Sequence, residues 1–84
     1  AIPEGIEAQT HQVLRNIEKI LTEAGSGKDK VLHVRVYVSN IKYWDIVNGI
    51  YADFFGQYKP ARAVIPTRDL HHGALIEVEV TAYV

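Results

Sequence analysis

Arg62 and Glu77 are the two residues whose types could bind and process a small anion. Arg62 follows a Pro-Ala step, and Glu77 lies early in the strand-like run from Leu75 to Val84. An arginine presents a planar fork that binds a carboxylate through two hydrogen bonds, and a nearby glutamate can orient or deprotonate a water. The two side chains are expected to meet across the loop that connects their strands. A cross-strand ion pair of about 0.2–1 kcal/mol is the alternative, and spacing alone favours it.

Glu77 and Glu79 form a second candidate, a pair of carboxylates on one face of a strand. Residues i and i+2 of a strand lie about 6.5–7 Å apart on the same side. An acid–base pair and an ordinary solvated strand share that spacing. A structural or inter-subunit ion pair between Glu79 and Arg35 is therefore the favoured interpretation.

The remaining polar candidates are two adjacent histidines and one asparagine. Adjacent residues such as His71 and His72 usually point apart, and no set of Asp, Glu or His at ligand spacing accompanies them. The sequence therefore predicts a polar turn there and no metal site. Asn48 is flanked by Val47 and Ile50 in a helical segment. It is either an exposed helix position or an amide that reaches a pocket at the helix edge.

The first half of the chain predicts a helix followed by a strand. Apolar residues at spacings of three and four predict an amphipathic helix from about Gly5 to Ala24, which the segment Gly25–Gly27 stops. The period of the apolar residues then changes to two over Val31–Val38, which predicts a strand with one apolar face. The residues expected on that apolar face are Leu32, Val34, Val36 and Val38.

The second half predicts one helix and two strands. Ser39 and Asn40 can cap a helix from about Ile41 to Phe55. A short strand, Ala61 to Pro66, and a longer one, Leu75 to Val84, follow. The order is α-β-α-β-β, and the fold class is α+β, with two helices on one face of a β-sheet.

The face of the sheet away from the helices is predicted to be mixed, with charges of both signs among aromatic side chains. Tyrosine and arginine are frequent at protein interfaces, so this face is expected to pack against other copies of the chain. Its predicted members are His33, Arg35, Tyr37, Arg62, Val64, Leu75, Glu77, Glu79, Thr81 and Tyr83.

Composition excludes several classes of function. The 84 residues make one domain, 48% of them are apolar, and the formal net charge is −1. Without a basic cluster, no nucleic-acid partner is expected. No apolar run approaches the length of about 20 residues that spans a bilayer, so no membrane partner is expected. The absence of cysteine excludes disulfides and thiolate chemistry and fits a reducing cytosol or organelle matrix.

Five segments together resemble the Rid family, also called the YjgF/YER057c/UK114 family. They occur in the family's order and spacing and cover nearly the whole chain. The most specific feature is the Pro-Ala-Arg step followed by the late Ile-Glu-Val-Glu strand, and it is similar to the RidA branch, the 2-iminobutanoate/2-iminopropanoate deaminases. The segments are IEAQTHQVLRNIEKILTEAG, VRVYVSNI, VNGIYADFFG, PARAVIP and GALIEVEVTA.

The resemblance implies a fold, an assembly and an activity. The fold is chorismate-mutase-like, and the assembly is a homotrimer with ligand clefts between subunits. The activity is hydrolysis of reactive enamine and imine intermediates that pyridoxal-phosphate enzymes release. An example is 2-aminoacrylate with its tautomer 2-iminopropanoate, which gives a 2-keto acid and ammonia. Neither a metal nor an organic cofactor is implied.

The resemblance also assigns roles to four residues of this sequence. The arginine after Pro-Ala is Arg62, which implies that it binds the substrate carboxylate. The main chain of Val64 is implied to hold the imine nitrogen or the water. Glu77, which opens the Ile-Glu-Val-Glu run, is implied to position and activate the water. Asn48 is implied to line the cleft.

One departure from the family concerns the N-terminus. Family members begin with a β-hairpin region that carries a Gly-Pro-Tyr-Ser type segment and supplies a tyrosine to the pocket. This sequence starts after that region, so residues 1–84 are expected to form one Rid-family domain truncated at its N-terminus. The alternatives are a non-catalytic trimeric module that binds small carboxylates, deamination of a larger aminomuconate-like substrate, and RNA binding, which the net charge disfavours.

Overall fold

The computed structural model describes residues 5–84. Its main elements are helix α1, strand β1, helix α2 and strands β2 and β3, joined by loops and single turns of 3-10 helix. This order confirms the predicted α-β-α-β-β arrangement and the α+β class. The bounds are Ile6–Glu23 for α1, Val31–Val38 for β1, Trp44–Phe55 for α2, Ala61–Pro66 for β2 and Ile76–Ala82 for β3.

The three strands form one sheet in the order β2-β1-β3. Strand β1 lies in the centre, parallel to β2 and antiparallel to β3. Three valines of β1 have no exposed surface, because α1 and α2 cover the face of the sheet toward which they point. The three are Val34, Val36 and Val38. The core is therefore a two-layer interface between the helices and one sheet face.

A shift of register at the start of β1 changes which residue enters the core. Val31 is only 8% exposed, whereas Leu32 is 57% exposed. The pairing of β1 with β3 is irregular between Val31 and His33, so one residue drops out of the alternation. The prediction that Leu32 shares the core face with the valines is therefore wrong.

The face assignment of β2 also needs a correction. In the parallel pairing of β1 and β2, Arg62 lies beside Val34 and Val64 beside Val36. Neighbouring residues of paired strands point to the same side of a sheet, so Arg62 and Val64 face the helices. The sequence could not settle this, because β2 has apolar residues at both alternating positions. The other charged members of the predicted open face are confirmed there: His33, Arg35, Glu77 and Glu79.

Both helices have defined ends. The Asn40 side chain accepts a 3.0 Å hydrogen bond from the Lys42 backbone N–H, which confirms the predicted cap ahead of α2. After α1, Gly25 adopts φ +80° and the Ser26 N–H donates to the Leu21 carbonyl at 2.8 Å. This is the Schellman geometry that favours glycine at the first residue past a helix.

Two glycine substitutions should change stability in opposite directions. Gly25→Ala is expected to lower the free energy of unfolding by about 1 kcal/mol, because alanine is strained at positive φ. Gly49→Ala is expected to raise it by roughly 0.5–1 kcal/mol, because Gly49 lies inside α2 and an added Cβ would meet nothing within 4 Å. Urea unfolding at equal protein concentration measures both. A change of the free energy of unfolding in the same direction in both variants would contradict this account of the two glycines.

Candidate active site

Three side chains of α2 form a stripe that faces the start of β2. Trp44, Asn48 and Tyr51 follow the spacing i, i+4, i+7, which aligns them on one side of a helix. Arg62 reaches across from β2, and its Nη1 donates a 2.8 Å hydrogen bond to the Asn48 Oδ1. The position of Arg62 on the helix-facing side of the sheet makes this contact possible.

The Arg62 guanidinium lies between two aromatic rings. Its central carbon is 4.7 Å from the ring centroid of Trp44 and 4.7 Å from that of Tyr51. Seven residues of helix place the Cα atoms of Trp44 and Tyr51 about 10.5 Å apart along the axis, so the guanidinium lies between the two helical turns that carry the rings. Each cation–π contact is worth roughly 0.5–1 kcal/mol. The rings and Asn48 therefore hold the guanidinium in one place while its other N–H donors remain available.

A cleft of about 410 Å³ opens beside this arginine. Its lining includes the apolar or neutral side chains of α2 and the segment before β2, together with two cations, Arg62 and Lys59. The acidic residues of the described chain do not line it. The lining residues are Asn48, Tyr51, Ala52, Phe55, Gly56, Lys59, Pro60 and Arg62. A cavity with an apolar wall and a held arginine fork suits a small carboxylate.

The Tyr51 hydroxyl is buried in the wall of this cleft. The residue is 6% exposed, and within residues 5–84 its hydroxyl oxygen has no hydrogen-bond partner. Burial raises the pKa of Tyr51 above its usual 10.0, and the positive charge of Arg62 partly opposes that shift. Tyr51 is therefore a neutral wall of the site at physiological pH.

Removing that hydroxyl should not cost stability. Tyr51→Phe is expected to leave the free energy of unfolding unchanged or to raise it by up to about 1 kcal/mol, because an unpaired buried hydroxyl is costly. The raised pKa means that the native state holds this proton more tightly. The free energy of unfolding that this tighter proton binding contributes is fully present below pH 10.0 and is lost as the pH rises through the native pKa. The variant should consequently lose less stability than wild type above pH 10.0 in urea unfolding. A loss of 1 kcal/mol or more at pH 7 would contradict this reading.

Glu77 does not lie in this cleft within one copy of the chain. It pairs with Tyr37 on the open face of the sheet, whereas Arg62 pairs with Val34 on the helix-facing side. Strand β1 separates them, and the register offsets them by three residues. Standard strand geometry then gives a Cα separation of roughly 14 Å. The prediction that Arg62 and Glu77 meet across the connecting loop is wrong within one protomer.

The open face carries a polar cluster around Glu79. The Tyr37 hydroxyl donates a 2.5 Å hydrogen bond to the Glu79 Oε1. This bond is the main cause that raises the pKa of Tyr37. Glu79 lies opposite Arg35 in the β1–β3 register, but within residues 5–84 the two side chains form no salt bridge, so the predicted ion pair is not present within one protomer. The open face thus presents a tyrosine and charges of both signs.

The two adjacent histidines lie in a turn. His71–Gly73 is a single 3-10 turn ahead of β3, which confirms the predicted turn. Within residues 5–84 the structure contains no group of three or more His, Asp or Glu side chains that could hold a metal ion. In the same part of the chain, neither helix is long and apolar enough to cross a membrane.

The sequence reading missed three members of the site. Trp44 and Tyr51 belong to a stripe of aromatic residues at helical spacing, a pattern that usually indicates core packing, yet they also hold Arg62. The signal was available, because the i, i+4, i+7 spacing aligns them with Asn48. Lys59 had no signal of its own, since a lone lysine before proline is common in loops.

Comparison with known proteins agrees with this architecture. A family profile described as Endoribonuclease L-PSP matches residues 1–84. A RutC family protein of Pyrococcus horikoshii is 41% identical over 93% of this chain and 62% of its own length. The crystal structure of a Rid family protein, YyfA, of Yersinia pestis superposes with a TM-score of 0.94 at 44% identity, over 99% of this chain and 67% of that one. The crystal structure of RidA from an Antarctic Psychrobacter has a TM-score of 0.96 at 27% identity, over 100% of this chain and 68% of that one.

The chain belongs to the YjgF/Rid family. Its two helices and three strands have the family's α+β fold. The chain spans about three fifths of the length of the RutC family protein that it matches. Relatives carry varied names, among them a putative regulator AldR of Lactococcus lactis, 40% identical over 99% of this chain and 66% of that protein. Function must therefore be argued from the site itself.

Proposed function

We propose that the protein hydrolyses reactive imines and enamines of 2-amino acids to 2-keto acids and ammonia. The observation that carries the proposal is the Arg62 fork, held by Asn48 and two rings at a cleft without acidic lining. Such a site selects a carboxylate. A 2-imino acid has its electrophilic carbon directly next to its carboxylate, so binding of the carboxylate to Arg62 also fixes the position of the imine carbon.

The chemistry needs little beyond orientation and one base. Water adds to the imine carbon while a proton moves to the imine nitrogen, which gives a tetrahedral carbinolamine. The C–N bond then breaks as the hydroxyl proton is transferred to the departing nitrogen, and the products are the keto acid and ammonia. Glu77 is proposed to position the water and accept its proton. The main chain of Val64, on an edge strand of the described sheet, is proposed to hold the nitrogen or the water.

Glu77 is proposed to come from a neighbouring copy of the chain. The roughly 14 Å between Arg62 and Glu77, on opposite faces of one sheet, leaves no common substrate position within a protomer. A contact between the Arg62 side of one copy and the Glu77 side of the next is head-to-tail, and such a contact forms a ring when its rotation closes. We propose that this ring is the homotrimer that the family resemblance implies, with clefts between subunits, and that it acts in the cytoplasm without a metal or organic cofactor.

The proposal is tested by imine hydrolysis. A pyridoxal-phosphate dehydratase generates 2-aminoacrylate from serine, and semicarbazide competes for the free imine. Addition of the protein is expected to speed release of pyruvate and to lower semicarbazone yield in proportion to protein concentration. Heat-denatured protein is the control. No change in either quantity with trimeric protein would contradict the deaminase.

A carboxylate-binding module without turnover is the second candidate. It is favoured by one observation, the absence of Glu77 from the cleft of a single protomer. Binding of 2-oxobutanoate that Arg62→Ala abolishes, together with no imine hydrolysis, would identify it. An aminomuconate-like deaminase would instead hydrolyse a longer, unsaturated substrate in the same cleft.

A further inference from the structure

The cleft presents two positive charges, although the proposed chemistry uses one. Arg62 and Lys59 both line it, and no aspartate or glutamate of the described chain does. Within residues 5–84, Lys59 makes neither a salt bridge nor a side-chain hydrogen bond. A concave surface with net positive charge attracts anions of matching charge. Because Glu77 of the neighbouring copy is proposed to hold the water, a substrate with a single carboxylate would satisfy Arg62 and leave Lys59 without a partner.

The backbone of Lys59 gives a second, independent observation. Lys59 adopts φ 37° and ψ 60°, the left-handed region that a side chain other than glycine rarely occupies. A residue that precedes a proline normally has extended backbone, so Pro60 makes this conformation still less favourable. Backbone strain of this kind concentrates at ligand sites. Here it accompanies a side chain that lines the cleft.

The dimensions of the cleft also exceed those of the smallest imino acids. Six non-hydrogen atoms of 2-iminopropanoate, at no more than about 30 Å³ each, fill less than half of the 410 Å³. Lys59 and Arg62 are three residues apart, at most about 10 Å between Cα atoms. The two carboxylate carbons of a five-carbon diacid are about 5 Å apart, and the long side chains of Lys59 and Arg62 can each place a donor about 3 Å from one end of such a molecule.

We propose that the cleft prefers imino and enamine acids that carry a second carboxylate, which Lys59 binds while Arg62 binds the carboxylate next to the imine. This inference rests on the function proposed above and assigns its substrate class. Lys59 is a specificity residue and takes no part in proton transfer. A five-carbon chain is the proposed length, because both side chains can reach its two carboxylates from positions three residues apart.

The test uses two imines that differ only at the far end. Amino-acid oxidases with catalase generate 2-iminoglutarate from glutamate and 2-iminopentanoate from norvaline, and semicarbazide reports the free imine. Wild type is expected to favour the diacid about tenfold in kcat/KM, which corresponds to one charge-assisted contact of about 1.4 kcal/mol. Lys59→Gln is expected to reduce this ratio to about one through KM, and Lys59→Arg to retain it. Lys19→Gln, on the exposed face of α1, is the matched control that keeps the ratio.

Binding without turnover separates this inference from the proposed function. Titration with 2-oxoglutarate and 2-oxopentanoate, followed by NMR, should give about tenfold tighter binding of the diacid in wild type and none of that preference in Lys59→Gln. Equal binding of the two acids, or a preference that survives Lys59→Gln, would overturn the inference. A Lys59-dependent preference without hydrolysis of either imine would support the two-anion site and overturn the deaminase.

Discussion

Arg62→Ala is expected to lower kcat/KM for imine hydrolysis by more than about 100-fold. The guanidinium is the one group in the cleft with the planar fork that a carboxylate prefers, and hydrogen bonds to charged groups are worth about 1.5–3 kcal/mol each. Losing the fork also frees the substrate to rotate, so its imine carbon is no longer held beside the water. Initial rates with the dehydratase-coupled assay measure the change.

The control for Arg62→Ala is Arg15→Ala. Arg15 is exposed on α1, where within residues 5–84 its guanidinium donates one side-chain hydrogen bond, to Gln12. It should change kcat/KM by less than about twofold, since exposed contacts of this kind contribute little. Arg62→Lys keeps the charge but loses the fork, so an intermediate loss of about tenfold is expected. Wild-type rates in Arg62→Ala, with folding confirmed by circular dichroism, would contradict the proposal that Arg62 binds the substrate carboxylate.

Glu77→Gln is expected to lower kcat by about 100-fold or more with KM changed by less than about threefold. General-base catalysis contributes about 10²–10⁴ in rate, and glutamine keeps the shape and the hydrogen-bonding capacity of the side chain while losing the basic oxygen. The substrate carboxylate remains on Arg62, so binding should persist. Titration with a non-reactive keto acid checks that binding directly.

Glu79→Gln is the matched control on the same strand. Glu79 points to the same face as Glu77 but accepts a hydrogen bond from the Tyr37 hydroxyl. Its loss should weaken the open-face cluster and leave kcat within about threefold of wild type. If Glu79→Gln removed turnover and Glu77→Gln did not, the assignment of the base would be reversed.

The elements of this fold could be read from the sequence because their periods differ. Spacings of three and four over residues 6–23 and of two over residues 31–38 are distinct signals, and both elements lie where they were predicted. Gly25 and Asn40 marked the helix ends for conformational reasons that are local. Local chemistry therefore determined the order of the elements.

What the sequence did not determine depends on register. The face of β2 was misassigned because Ala61, Ala63 and Val64 are compatible with either side, and only the pairing with β1 decides. Leu32 was misassigned because a bulge is invisible to alternation. The expected meeting of Arg62 and Glu77 failed for the same reason, since it assumed that strands adjacent in sequence are adjacent in the sheet. In fact β1 lies between them.

The site could be predicted in part. Arg62 and Asn48 were both candidates, and the structure joins them through a 2.8 Å hydrogen bond. The two rings that hold Arg62 could not be recognised as site residues from the sequence, because aromatic residues at helical spacing usually pack in the core. Tyr51 belongs to the core and to the site, since it is buried and also lines the cleft.

The central claim is that the active site forms between copies, with Arg62 from one and Glu77 from the next. The most direct test mixes the two inactive variants, Arg62→Ala and Glu77→Gln, by unfolding them together and refolding them at equal concentration. In randomly mixed trimers about one quarter of the inter-subunit sites contain both native side chains, so the account predicts recovery of about one quarter of wild-type activity. Each variant refolded alone should stay inactive. No recovery in trimers that mass spectrometry proves to be mixed would contradict the account, because both residues would then have to act within one protomer.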